Sequence, residues 1–111
     1  MDIDAHTLRA IRQFLSLIRP HYDVAGAILY GSYARGTPHT DSDVDVAVLL
    51  NGPRGNAYQV ARNMVRQAYT VLLDTGVDIS PLPIWAEEWE HSEITSNPAL
   101  LRNIAQEGLR L

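Results

Sequence analysis

The 111-residue sequence has no cysteine and no lysine. Without cysteine there is no disulfide framework, no thiolate metal site and no cysteine nucleophile. Without lysine, a Walker-type phosphate loop and Schiff-base chemistry are excluded, and all nine basic residues are arginines. Long apolar runs are missing too: none approaches the roughly 20 residues of a membrane-spanning helix, and the acidic start Met1-Asp2-Ile3-Asp4 lacks an apolar signal region. A cytoplasmic protein with no membrane contact is expected. The formal charge is −4, and the arginines are scattered rather than gathered in the basic run that marks phosphate neutralisation. No direct nucleic-acid partner is expected. Seven glycines and six prolines, against 46% hydrophobic residues, argue against disorder. The length suits one domain over residues 1–111, too short for a catalytic domain plus a separate substrate-binding domain.

What is present reads as alternating helices and strands. Asp4 caps a first helix in which Leu8, Ile11, Leu15 and Ile18 recur at helical spacing and Pro20 ends the run. His6, Arg9, Arg12 and Arg19 fall off or beside that stripe and read as solvated. A strand over Val24 to Tyr30 follows, then the Gly31-Ser32 turn and a short helix through Arg35. The breaker-rich loop Gly36 to Ser42 leads to a second strand from Asp43 to Leu50. Asn56 caps a helix carrying Val60, Met64, Ala68, Val71 and Leu72 on one face, and Gly76 stops it.

A third strand is predicted over Val77 to Ile84, at an edge or end because Pro81 and Pro83 cannot donate to a ladder. Trp85 to Glu93 reads as an amphipathic helix with Trp85, Trp89 and Ile94 inward and its glutamates in water. Asn97-Pro98 opens a last helix that Gly108 ends, before a short strand at Leu109 to Leu111. The fold class is therefore α/β (α+β): a small mixed sheet of three to four strands with helices mainly on one face.

The chemistry concentrates between Tyr30 and Leu50. Strand side chains alternate, so Asp43 and Asp45 share one face while Val44, Val46 and Val48 share the other. Adjacent like charges repel unless a cation lies between them, and Mg²⁺ favours carboxylate oxygen. If Ser32 opens a helix, its hydroxyl and the free amides after it form an anion cradle, and Gly31 lets backbone approach a phosphate closely. Asp78, unusual among β-branched strand residues, either pairs locally with an arginine or turn amide or faces the Asp43/Asp45 pair; the second is favoured. Arg35 either ties the loop, for example to Asp41, or leans toward a triphosphate. His39 is favoured as a plainly exposed loop residue over a base or ligand.

Gly31-Ser32, ten residues, then Asp43-Val44-Asp45 resembles the signature of the DNA polymerase β type nucleotidyltransferase superfamily. The fuller Gly31-Ser32-Tyr33-Ala34-Arg35-Gly36 with Ser42-Asp43-Val44-Asp45-Val46 is most similar to its minimal nucleotidyltransferases, short antitoxins usually encoded beside a HEPN-domain partner. The resemblance extends to the C-terminal residues Leu100 to Leu111. It implies catalysis and metal binding by Asp43, Asp45 and Asp78, with two Mg²⁺ ions. It also implies ATP as donor held by Gly31, Ser32 and Arg35, and AMP transfer to a tyrosine hydroxyl of a HEPN-domain toxin. A non-catalytic binding antitoxin, or a small-molecule nucleotidyltransferase acting as a dimer, stand as alternatives.

Overall fold

The computed structural model describes residues 3–36 and 43–111. His39 and the Arg35–Asp41 pairing lie outside the described residues. Helix α1 (Ala5–Ile18) begins where its sequence supplies a cap: the Asp4 carboxylate accepts from the Thr7 N–H and the Thr7 hydroxyl, each at 2.8 Å. The Thr7 amide is the main reason the Asp4 carboxyl titrates below its ordinary range. Ile11, Phe14 and Ile18 of α1 are fully buried, and each such side chain contributes about 1.5–3 kcal/mol through the apolar area removed from water. His6, Arg9, Arg12 and Arg19 are exposed, as expected.

Strand β1 (Val24–Tyr30), the one-turn helix α2 (Ser32–Arg35) and strand β2 (Val44–Leu50) follow. Helix α3 (Ala57–Thr75) starts where the Asn56 side chain accepts from the Gln59 N–H at 3.0 Å, and it buries Met64, Ala68 and Val71. Strand β3 (Ile79–Trp85), helix α4 (Ala86–Glu90), a 3₁₀ turn (Ser92–Ile94), helix α5 (Pro98–Glu107) and strand β4 (Leu109–Arg110) complete the order.

The sheet runs β3-β2-β1-β4, with β1 antiparallel to both neighbours and β2 parallel to β3. The parallel pair needs a crossover connection, which α3 provides. β3 lies at the edge, the position its prolines demand. α1 and α3 cover the face bearing Leu29, Val44, Val46, Val48 and Ile79, where the larger core sits. The other face carries Ile28, Ala47, Leu49 and Ile84 under Leu101 and Ile104 of α5. The end of α5 comes so close to β1 that a Cβ on Gly108 would collide with Ile28 and the Ile104 carbonyl.

Three local expectations differ. Trp85 is buried and belongs to β3 rather than to a helix, and the segment predicted as one helix to Glu93 breaks at His91 into α4 and the 3₁₀ turn. Ile94 is about half exposed. Glu88 is buried rather than solvated: its carboxylate lies 3.7 Å from Arg54 Nε and accepts from the Trp85 N–H at 3.4 Å, so a backbone donor and an arginine hold it in place. Among the described residues no helix is long and apolar enough to cross a membrane.

Candidate active site

The antiparallel pairing of β1 with β2 sets Tyr30 opposite Asp45, so the end of one strand meets the start of the other. Gly31 follows with φ 75° and ψ −152°, backbone open to glycine and strained for any other residue. There is a second requirement for glycine here: a Cβ at Gly31 would run into the Asp45 carboxylate. The turn backbone is thus pressed against that acid. Ser32 does open a helix. Its first repeating bond is Arg35 N–H to Gly31 O at 3.1 Å, so the amides of Ser32, Tyr33 and Ala34 have no acceptor within the helix.

On the other side of β2, the parallel register sets Val44 beside Ile79 and Asp45 beside Ser80. The Val44 N–H donates to the Asp78 carbonyl at 2.8 Å, which extends the ladder one residue beyond β3 and brings Asp78 alongside Asp43. The two carboxyls come within hydrogen-bonding reach. Burial, then that contact and the Asp43 charge, raise the Asp78 carboxyl above its ordinary value. Asp45 is raised as well, first by burial and then by Asp43, with Arg35 pulling the other way. Tyr30, half-buried and facing Asp45, is pushed up to about 12, so its hydroxyl keeps its proton at neutral pH.

The three acids named from the sequence therefore gather at one end of the sheet, with the Gly31-Ser32 turn beside them. Among the described residues no group of three or more histidine, aspartate and glutamate side chains is placed to hold a metal ion as it stands. Asp43 touches Asp78, while Asp45 stands against Gly31. An open arrangement is what mutually repelling carboxylates adopt, and their hard oxygen donors fit a divalent cation.

Two features were not legible in the sequence. Arg35 pairs with Glu107 of α5 at 3.2 Å, a contact between residues 72 positions apart and exposed on both sides. α5 also walls a cleft of about 260 Å³ that abuts Gly31 and is lined by Tyr30, Arg35, Leu100, Asn103 and Glu107. Sequence periodicity marked the apolar side of α5 but gave no sign of which sheet face it would cover.

Known proteins resemble this chain in sequence over part of its length and in fold. Protein adenylyltransferase MntA of Shewanella oneidensis is 41% identical over 54 residues, which is 49% of this chain and 37% of that protein. The matched chain thus spans little more than a third of that relative's length. A toxin-antitoxin crystallised with AMP-PNP superposes with a TM-score of 0.60 at 23% identity, over 89% of this chain and 69% of that one. A mutant of the toxin-antitoxin MntA-HpeT gives 0.59 at 20% identity, covering 99% and 72%. A nucleotidyltransferase-type structure from Sulfolobus solfataricus gives 0.52 at 12% identity, covering 99% and 89%; at such identities the likeness is one of fold. The profile of the nucleotidyltransferase domain matches residues 8–109, and the chain belongs to that family.

Proposed function

We propose that the chain is a Mg²⁺-dependent protein adenylyltransferase that moves AMP from ATP to a tyrosine hydroxyl of a HEPN-domain toxin and so silences it. The observation that carries this reading is the meeting of Asp43, Asp45 and Asp78 beside the Gly31 turn. A purely docking protein has no use for converging acids that repel one another. ATP as donor draws support from a fold neighbour crystallised with AMP-PNP, and the acceptor class from a relative named protein adenylyltransferase.

Asp43, Asp45 and Asp78 would be the ligands of the metal ions. When bound, the pair of ions lowers the basicity of the attacking oxygen and neutralises charge on the α phosphate and on departing pyrophosphate. Ser32 and the free amides of α2 hold the β and γ phosphates, which leaves the α phosphorus over the acids. A bond forms from the tyrosine oxygen to that phosphorus, the bond to pyrophosphate breaks, and the tyrosine proton passes to Asp78. Arg35, drawn toward Asp45 electrostatically, would leave Glu107 to meet the phosphates.

The test mixes the purified chain with Mg²⁺, α-labelled ATP and the protein encoded beside it, and separately with an aminoglycoside. Label on a partner tyrosine is expected. An inhibited but unlabelled complex would leave a binding antitoxin, and label on the antibiotic would leave a small-molecule enzyme.

A further inference from the structure

We propose that the outer face of α3 docks an acidic, amphipathic helix of the protein that this chain modifies. The inference rests on the partner-modifying reading above, and it concerns a surface on the far side of α3 from the sheet.

α3 carries two apolar stripes. Met64, Ala68 and Val71 form the one that faces the sheet, and they are buried. On the other side Tyr58, Val65, Tyr69 and Leu73 are 74%, 53%, 58% and 71% exposed. With Arg62 between them they follow one another at steps of four, three, four and four residues, which sets them along a single line of the helix for about 22 Å. α1 lies along a different flank, where Gln13 meets Asp74 at 3.0 Å and Tyr22, just past α1, meets Asn63 at 3.0 Å. Among the described residues, four of the six exposed large hydrophobic side chains belong to this one line. Such residues scattered singly are ordinary, whereas a contiguous patch marks an interaction surface.

The charge on that face has one sign. Arg62 and Arg66 are exposed there, and the Arg62 guanidinium stands 5.8 Å from the centre of the Tyr58 ring. The ion pairs among the described residues use Arg35, Arg54 and His91 instead. From Ala57 to Leu73 there is no acidic residue, in a chain of net charge −4. Tyrosine and arginine are also the side chains that contribute most to binding at protein interfaces.

Shape and charge together select the occupant. A straight row at helical spacing is matched by the row of another helix, ridge into groove, and two guanidinium groups one turn apart are met by carboxylates at the same spacing. A second copy meets the shape but not the charge: an α3–α3 pair would gather Arg62 and Arg66 of both chains with no acid between Ala57 and Leu73 to offset them. Nucleic acid would satisfy the arginines and leave Val65 and Leu73 against phosphate. The direction of α3 adds to the argument. It ends at Thr75, three residues before Asp78, at most about 11 Å of chain. A helix laid along α3 therefore brings its protein to the end of the sheet where the acids meet.

The test takes the protein encoded beside this chain as its probe. With Tyr69 replaced by p-benzoylphenylalanine, irradiation of the mixture is expected to give a crosslink that mass spectrometry maps to a helical segment of the partner bearing glutamate or aspartate. Binding is measured by calorimetry without nucleotide or metal. The Kd is expected to rise about tenfold or more in Val65→Ser/Tyr69→Ser, which keeps every charge. A similar rise is expected in Arg62→Glu/Arg66→Glu, with the salt dependence flattened; circular dichroism checks the fold of both variants. Asp45→Asn is expected to bind like the unaltered chain. No binding, unchanged binding by either α3 variant, loss of binding in Asp45→Asn, a crosslink joining two copies of this chain, or tighter binding of polyuridine than of the partner would each overturn the proposal. Partner binding that depends on α3 while no tyrosine is labelled would sink the enzymatic reading and leave the docking surface standing.

Discussion

Asp45→Asn is expected to cut nucleotidyl transfer at least about 100-fold, because even residues that merely orient metal ligands cost 10–100-fold when lost, and at the same time to raise the melting temperature by a few degrees. The two effects have one cause. Asp45 is raised above its ordinary value of 3.8 by burial and by Asp43, so the folded chain holds that proton more tightly than the unfolded chain does. Stability is therefore lost as pH climbs from 3.8 through the raised value, and it stays lower at neutral pH. Asparagine keeps the shape and removes the charge. The gain in melting temperature should be present at pH 7 in EDTA and fade as both acids protonate toward pH 3. A variant that transfers normally, or that melts below the unaltered chain at pH 7, would refute the assignment. Trading stability for function is usual where a site assembles like charges.

Gly31→Ala is expected to lose activity and, unlike the asparagine variant, to lose stability too. Holding a non-glycine residue at φ 75°, ψ −152° costs about 1–3 kcal/mol, equivalent to a fall of roughly 4–8 °C per kcal/mol in a domain near this size. The added methyl also meets the Asp45 carboxylate, so that acid must swing out of its place. The two costs can be separated by a double-mutant cycle. In an Asp45→Ala background the collision disappears and only the backbone strain remains, so Gly31→Ala should cost less there than in the unaltered chain. Equal costs in both backgrounds would mean that Gly31 and Asp45 do not touch.

Much of this geometry could be read in advance because it is carried by local rules. Alternation along β2 set Asp43 and Asp45 on one side of the strand, and the tightly packed Val44, Val46 and Val48 on the other bear that out. Pro81 and Pro83 put β3 at the sheet edge, where it lies. Asp4, Asn56 and Asn97 each cap the helix that follows them. Contacts made by the tertiary fold were not legible. Nothing near Arg35 in sequence announces Glu107, and nothing near Glu88 announces that Arg54 and the Trp85 amide would draw it inside. Helical periodicity likewise continued through His91, where the chain turns. The arginines are scattered along the sequence, yet in the fold Arg12, Arg19 and Arg110 border one groove.

Whether the three acids at the starts of β2 and β3 seat divalent ions beneath a nucleotide can be measured without any acceptor. Mn²⁺ is titrated into the chain with AMP-PNP, and the bound ions are counted by electron paramagnetic resonance. Two ions per chain are expected for the unaltered protein, with occupancy strongly reduced in both Asp43→Asn and Asp78→Asn. Unchanged ion number and affinity in those variants would show that the carboxylates meet for some reason other than metal.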